Sequence, residues 1–268
     1  MGYYIQVDYQ TKLFIEDIGK GQPVLFIHGW PVNHKMYEYQ FNTLPSKGIR
    51  CIALDLRGFG KSDRPFKGYS YNSMADDIRM VVERLQLKNF ILIGFSMGGA
   101  ISIRYMSRHL GYQVKKLILL GTAAPSFTQR SNFPYGLSVE EVNSIIESAY
   151  KDRPKMLKDF GEKFFVSNIS EQFSEWFYSL GLEASGHGTI KTAKSLRDED
   201  LRTDLSQIFV DTYILHGKKD QVCPFVLGTL LNKYIASSVL ISFENSGHGL
   251  FYDERQKFNE ILARLLVK

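Results

Sequence analysis

The sequence predicts an α/β fold: a mostly parallel sheet of about eight strands, covered by helices on both faces and interrupted by an inserted helical cap. Three features carry the expectation. Short Ile-, Leu- and Val-rich runs recur, each followed by a helical stretch, as in strands buried on both faces of a parallel sheet. Residues 122–205 break this rhythm with amphipathic helical stretches and no convincing buried strand. Finally, the run Phe90-Ile91-Leu92-Ile93 passes into a helix with almost no linker, through Gly94-Phe95-Ser96-Met97-Gly98-Gly99.

Tyr3 to Val7 and Lys12 to Asp17 alternate apolar and polar residues, predicting an antiparallel hairpin at a sheet edge. Val24 to Ile27 reads as a buried strand that ends in the sharp turn His28-Gly29-Trp30-Pro31. A helix from about Lys35 to Leu44 leads to the strand Arg50 to Leu54, then to the charged, glycine-bearing loop Asp55 to Asp63. Ser73 or a neighbour caps a helix through Leu87, whose apolar face is Met74, Ile78, Val81, Val82 and Leu85. Val114 to Leu120 is the next buried strand, and the insertion follows it. The strand rhythm resumes at Thr212 to Leu215 and again at Val239 to Phe243, with a helix from Phe225 to Tyr234 between them. A last helix is expected from Phe251 to about Leu266. The domain boundaries are therefore 1–121 and 206–268 for the two parts of the core, and 122–205 for the cap.

Composition narrows the function. Hydrophobic residues make up 44% and charged residues 23% of the 268 positions, an ordinary globular balance. The net charge of +5 comes from scattered lysines and arginines with no long basic run, so nucleic acid is not an expected partner. No apolar run approaches the ~20 residues of a membrane span, and the N-terminal residues lack the form of a signal peptide. Cys51 and Cys223 make neither a disulfide framework nor a zinc site, and both read as reduced thiols of a cytoplasmic protein. No nucleotide-binding glycine pattern or spaced metal-ligand cluster occurs, so no cofactor and no metal are expected. Assembly into a homo-oligomer is left open.

The chemistry centres on Ser96. So abrupt a reversal holds its central residue at positive φ, and glycine at 94, 98 and 99 removes the Cβ atoms that would collide where strand and helix cross. The Ser96 hydroxyl is lifted above the sheet, beside the Met97 amide at a helix N-terminus, where developing negative charge is favoured. A serine needs a base, and an imidazole needs a partner to fix its tautomer. Ser96, Asp220 and His248 each follow the C-terminal end of a predicted strand, and in a parallel sheet those ends share one face. His248, between two glycines, is the expected base and Asp220 the expected acid, ahead of Asp200, Asp204 and Asp211. The amide of Trp30 is the expected second oxyanion donor. His28 should order its own turn, His216 should pack, and Asp55 and Arg57 should form an ion pair bracing their loop. Part of the insertion's aromatic surface should face a pocket, most of it packing the cap's own core.

Those residues resemble the α/β-hydrolase family over nearly the whole chain. The likeness is carried by His28-Gly29-Trp30-Pro31, Asp55 to Ser62, Gly94 to Gly99, His216 to Asp220 and Gly247-His248. Within that family the chain looks most like the cofactor-free bacterial haloperoxidases, or perhydrolases, and their aryl-esterase relatives. Trp30-Pro31, Phe95 to Gly99 and Asp220 to Phe225 are the closer marks, whereas the cap departs more freely. The resemblance implies a serine esterase on small esters, forming peracids from carboxylate and peroxide as a side activity. Pro31, Phe95, Phe127 and Phe133 are the substrate-contacting positions expected. Pro31, which lacks an N–H, would bias the enzyme toward perhydrolysis by turning the Trp30 carbonyl into the pocket. A C–C or lactone hydrolase on the same triad, a ligand sensor that keeps the triad, and a true peroxidase, which the lack of metal or haem ligands in the sequence opposes, are the other readings of these residues.

Overall fold

The computed structural model describes residues 2–267. Strands β1 (Gly2–Asp8) and β2 (Thr11–Ile18) form the expected hairpin, and β2 pairs antiparallel with β4 (Ile49–Leu54). The remaining pairs are parallel: β3 (Gln22–Ile27), β5 (Phe90–Phe95), β6 (Val114–Leu120), β7 (Asp211–Gly217) and β8 (Ser238–Phe243). The order across the eight-stranded sheet is β1-β2-β4-β3-β5-β6-β7-β8. Every residue of β5 is buried, which explains its unbroken apolar sequence.

Helices flank the sheet. After β3 comes a 3₁₀ turn, His34–Tyr37, and a single α turn, α1 (Glu38–Phe41), where one longer helix was expected. Helix α2 (Tyr71–Arg84) is capped by Ser70, whose side chain accepts from the Ser73 amide, so the cap lies three positions before the residue that sequence suggested. Helix α3 (Met97–Arg108) springs directly from β5, and α7 (Phe225–Tyr234) connects β7 to β8. The final helix is broken into α8 (Leu250–Asp253) and α9 (Arg255–Val267), with Glu254 off helical geometry at φ = −116°, ψ = 49°.

Between β6 and β7 the described residues contribute no strand to the sheet. They form α4 (Val139–Gly161), α5 (Glu171–Leu182) and α6 (Gly186–Asp198) over the strand ends, preceded by an irregular segment with isolated bridges at Thr128–Leu137 and Arg130–Phe133. Ser138, Ser170 and Ser185 cap the three helices, Ser138 in a capping box with Glu141. Helix α4 bends where Asp152 leaves helical geometry (φ = −153°, ψ = 82°), two residues before Pro154. The insertion is tied to the core by polar contacts: Trp30 Nε1 donates to the Thr189 carbonyl at 3.0 Å, and the Ser185 amide donates to the Gly58 carbonyl at 2.8 Å. The expected ranges 1–121 and 206–268 include Met1 and Lys268, which lie outside the described residues.

The β5–α3 turn leaves no room for side chains. A Cβ on Gly98 would stand 2.4 Å from the carbonyl oxygens of both Ile27 and His28. Gly98→Ala should therefore cost about 3 kcal/mol of folding stability, because rigid backbone has to move. Gly161→Ala, where a Cβ meets nothing within 4 Å, should change stability by less than about 1 kcal/mol and in the favourable direction. Urea denaturation of the two variants beside the wild type checks both.

Candidate active site

Ser96 sits at the end of β5 with φ = 52° and ψ = −117°. Its amide is held by the Leu120 carbonyl at 2.9 Å, and its carbonyl accepts from the amides of Gly99 and Ala100, so the strained turn is hydrogen-bonded on both sides. The end of β3 closes against it: a Cβ on Gly29 would lie 3.0 Å from Ser96 Cβ. This contact brings Gly29-Trp30 beside the N-terminus of α3, where Met97 is the first helical residue. His28, fully buried, fixes the turn. Its Nε2 accepts from the Leu56 amide at 2.9 Å and its Nδ1 donates to the Gly29 carbonyl at 2.8 Å. Burial pushes its pKa down to about 4, keeping the ring neutral as this pairing requires.

Asp220 and His248 meet below the insertion. His248 Nδ1 donates to Asp220 Oδ2 at 2.8 Å, and both side chains are fully buried. Asp220 Oδ1 accepts from the amides of Val222 (2.8 Å) and Cys223 (2.7 Å). Burial alone would raise the Asp220 pKa, but the adjacent His248 and His216 outweigh it and hold the carboxylate well below its ordinary range. Asp200 is instead paired with Arg202, and Asp204 with Arg104 and Ser107. With Nδ1 committed to Asp220, His248 Nε2 is left as the basic nitrogen, and among the described residues it has no hydrogen-bond partner. The Ser96 hydroxyl points instead at Cys223 Sγ, 4.0 Å away.

Several residues do other work than sequence suggested. His216 is more than a packing group: its Nε2 donates to the Cys223 carbonyl at 2.8 Å and lies 3.4 Å from Asp220 Oδ2, bracing the turn that carries Asp220. Arg57 does not pair with Asp55. It reaches back to Asp77 (Nε to Oδ2, 2.6 Å) and Asp8 (2.8 Å), while Asp55 accepts from the His34 ring, the His34 amide and the Lys61 amide. Asp253 and Glu254, at the break between α8 and α9, anchor the loop of His248. Asp253 accepts from the Gly247 and Ser167 amides, and Glu254 from the Asn245 amide and the Ser246 hydroxyl. Those bonds explain why one predicted helix became two.

A narrow apolar cavity, with only about 10 Å³ of free space, opens over Ser96. Its wall contains Trp30, Phe127, Phe160, Val142 and Ile145 of α4, Ala193 and Leu196 of α6, and Val222. Of the expected substrate contacts, Phe127 is on this wall and Pro31, Phe95 and Phe133 are not. Phe95 faces the other way because alternate residues of a strand do, and its ring packs on the His248 imidazole at 4.6 Å. Phe133 lies beyond the cavity wall, against Tyr135 and the Arg202 guanidinium. Pro31 is buried in the turn, joined to Trp30 by a cis peptide. The cap's other aromatics, Phe164, Phe165, Phe173 and Phe177, cluster with Phe251 and Tyr252 of α8 and seat the insertion on the core.

Comparison with known proteins agrees with this architecture. Residues 22–137 match the family model described as alpha/beta hydrolase fold. The AB hydrolase superfamily protein YisY of Bacillus subtilis (strain 168) is 53% identical over 264 residues, which cover 98% of each chain. The chain belongs to the alpha/beta hydrolase family. An esterase of Exiguobacterium antarcticum superposes with a TM-score of 0.98 at 52% identity, over 100% of both chains. A bromoperoxidase of Bacillus anthracis does so with a TM-score of 0.96 at 31% identity, again over 100% of both. Among the described residues no helix is long and apolar enough to cross a membrane.

The depressed Asp220 pKa makes a pH-dependent prediction. A carboxylate bound more tightly in the folded state than in the unfolded chain stabilises the fold above its unfolded pKa, near 3.8, and loses that contribution as pH falls toward the folded value. The stability advantage of wild type over Asp220→Asn should shrink as pH falls from about 5 to below about 4. Chemical denaturation across that range measures it.

Proposed function

We propose that the chain is a serine hydrolase that cleaves small carboxylic esters through an acyl-enzyme, using Ser96, His248 and Asp220. The 2.8 Å bond between Asp220 and His248, under a cavity whose floor is the strained Ser96, carries this reading. His248 Nε2 takes the hydroxyl proton as Ser96 Oγ attacks the ester carbonyl. The backbone amides of Trp30 and Met97 receive the developing oxyanion. The imidazolium, stabilised by the ionised Asp220, then gives its proton to the leaving alkoxide. Water attacks the acyl-enzyme with His248 as base, releasing the acid and restoring the serine. The apolar wall supports a substrate with an uncharged, compact acyl or aryl group, since the lining is almost wholly hydrophobic and the free space over Ser96 is narrow.

The haloperoxidase-like resemblance and the bromoperoxidase similarity favour perhydrolysis as a side activity of the same site. Hydrogen peroxide would replace water at the acyl-enzyme, giving a peracid in place of the acid. Pro31 would act on this step through the Trp30 backbone, since its ring is off the cavity wall. The two cysteines, both buried free thiols, support a reducing, cytoplasmic setting.

Ser96→Ala should lower kcat for p-nitrophenyl acetate by several orders of magnitude without lowering thermal stability, and should abolish peracid formation from acetate and peroxide. Asp220→Asn should cost about 10⁴-fold in kcat, far more than Asp200→Asn or Asp204→Asn. Unchanged turnover in Ser96→Ala, or equal losses at the three aspartates, would rule out this mechanism.

A further inference from the structure

A second cavity, about 120 Å³, lies against the first on the outer side of α4. Its rim is polar and solvent-exposed, formed by Ser144, Ser148, Asp159 and Lys163. Ile145 and Phe160 belong to the walls of both chambers. The larger surface hollows beside Arg57, Gln86 and Glu38 share no wall residue with the chamber over Ser96. Exposure falls along this line, from the open rim through half-buried Ile145 to Phe160 at 8%.

We propose that substrate enters the chamber over Ser96 from this outer cavity, between Ile145 and Phe160, and that this pair sets which esters pass. The inference rests on the serine-hydrolase reading above for its choice of substrate. The two side chains stand on opposite arms of α4, with the break at Asp152 and Pro154 between them. Pro154 lacks the N–H that would continue the helical ladder, so the arms are not locked into one rigid cylinder. Phe160 is the fixed side of the passage: its ring packs edge-to-face on Trp30 at 4.8 Å and on Phe164 at 5.5 Å. Ile145, only half-buried, is the side that can yield. The change from polar rim to apolar chamber orients the ligand, with its apolar group inward at Ser96 and its polar end toward Ser148 and Lys163. The substrate class is thus an ester with one compact apolar half and one hydrated half.

The route can be tested with and without chemistry. Ile145→Ala widens the passage, and Ser148→Tyr, at an exposed position off the inner wall, narrows its approach. Labelling of Ser96 by a bulky, linker-extended fluorophosphonate should be about fivefold faster in Ile145→Ala and about fivefold slower in Ser148→Tyr, with a small ethyl fluorophosphonate changing less than about twofold. In a Trp176→Phe background the only remaining tryptophan is Trp30, on the inner wall, so acrylamide quenching reads entry independently of reaction. Its quenching constant should rise in Ile145→Ala and fall in Ser148→Tyr. Labelling and quenching that both ignore these substitutions would overturn the route while leaving Ser96 as nucleophile. Quenching that follows them, with Ser96 never labelled in the wild type, would uphold the route and reject the serine-hydrolase reading.

Discussion

The turn between β5 and α3 places Ser96 in a backbone conformation that costs about 1–3 kcal/mol for a residue with a side chain, and the surrounding structure is arranged to hold it there. The carbonyls of Ile27, at the end of β3, and of His28 leave no room for a Cβ on Gly98, and on Gly94 a Cβ would meet the Gly98 carbonyl oxygen at 2.5 Å. The strained residue is held by the central, fully buried strand, which pairs with β3 on one side and β6 on the other. Because β3 runs parallel to β5, its own C-terminal turn arrives at the same height and delivers Gly29-Trp30 to the serine. The sheet register therefore determines which backbone amides can face the hydroxyl.

The proposed base and acid depend on a second set of constraints. Asp220 is held ionised by two histidines and two amides, and the loop carrying His248 is pinned by carboxylates at the break between α8 and α9. Phe95 and Phe164 enclose the imidazole, with ring centroids at 4.6 and 4.9 Å. Core and insertion thus each supply one face of the slot in which His248 sits. The Gly249 amide donates to the Phe164 carbonyl at 2.7 Å, so the same loop is also part of the cap's attachment. Displacement of the insertion would be felt at the base.

Much of the sheet was legible in sequence because both-faces burial leaves unbroken apolar runs, as in Val24 to Ile27 and Phe90 to Ile93. Ser96 was legible for a related reason: glycines at 94, 98 and 99 mark a crossing that tolerates no side chains. The Asp220–His248 contact followed from strand-end order alone. The cavity wall was not legible, since Val142, Ile145, Ala193 and Leu196 are ordinary apolar residues of amphipathic helices and nothing in their spacing tells a pocket from a core. Phe95 and Phe133 were misplaced because an aromatic near a site need not face it. The partners of Arg57 were missed because Asp8 and Asp77 are distant in sequence, and the break at Glu254 because its cause is a set of bonds to the His248 loop.

The central claim is that the strained Ser96 turn, the Trp30 turn and the Asp220–His248 pair form one catalytic unit. A crystal structure of the protein after reaction with an ethyl fluorophosphonate tests it most directly. The account predicts a single covalent bond to Ser96 Oγ. It also predicts the phosphoryl oxygen within about 3 Å of the backbone nitrogens of Trp30 and Met97, and His248 Nε2 turned to the ester oxygen. An adduct on another residue, or a phosphoryl oxygen directed away from both amides, would contradict it.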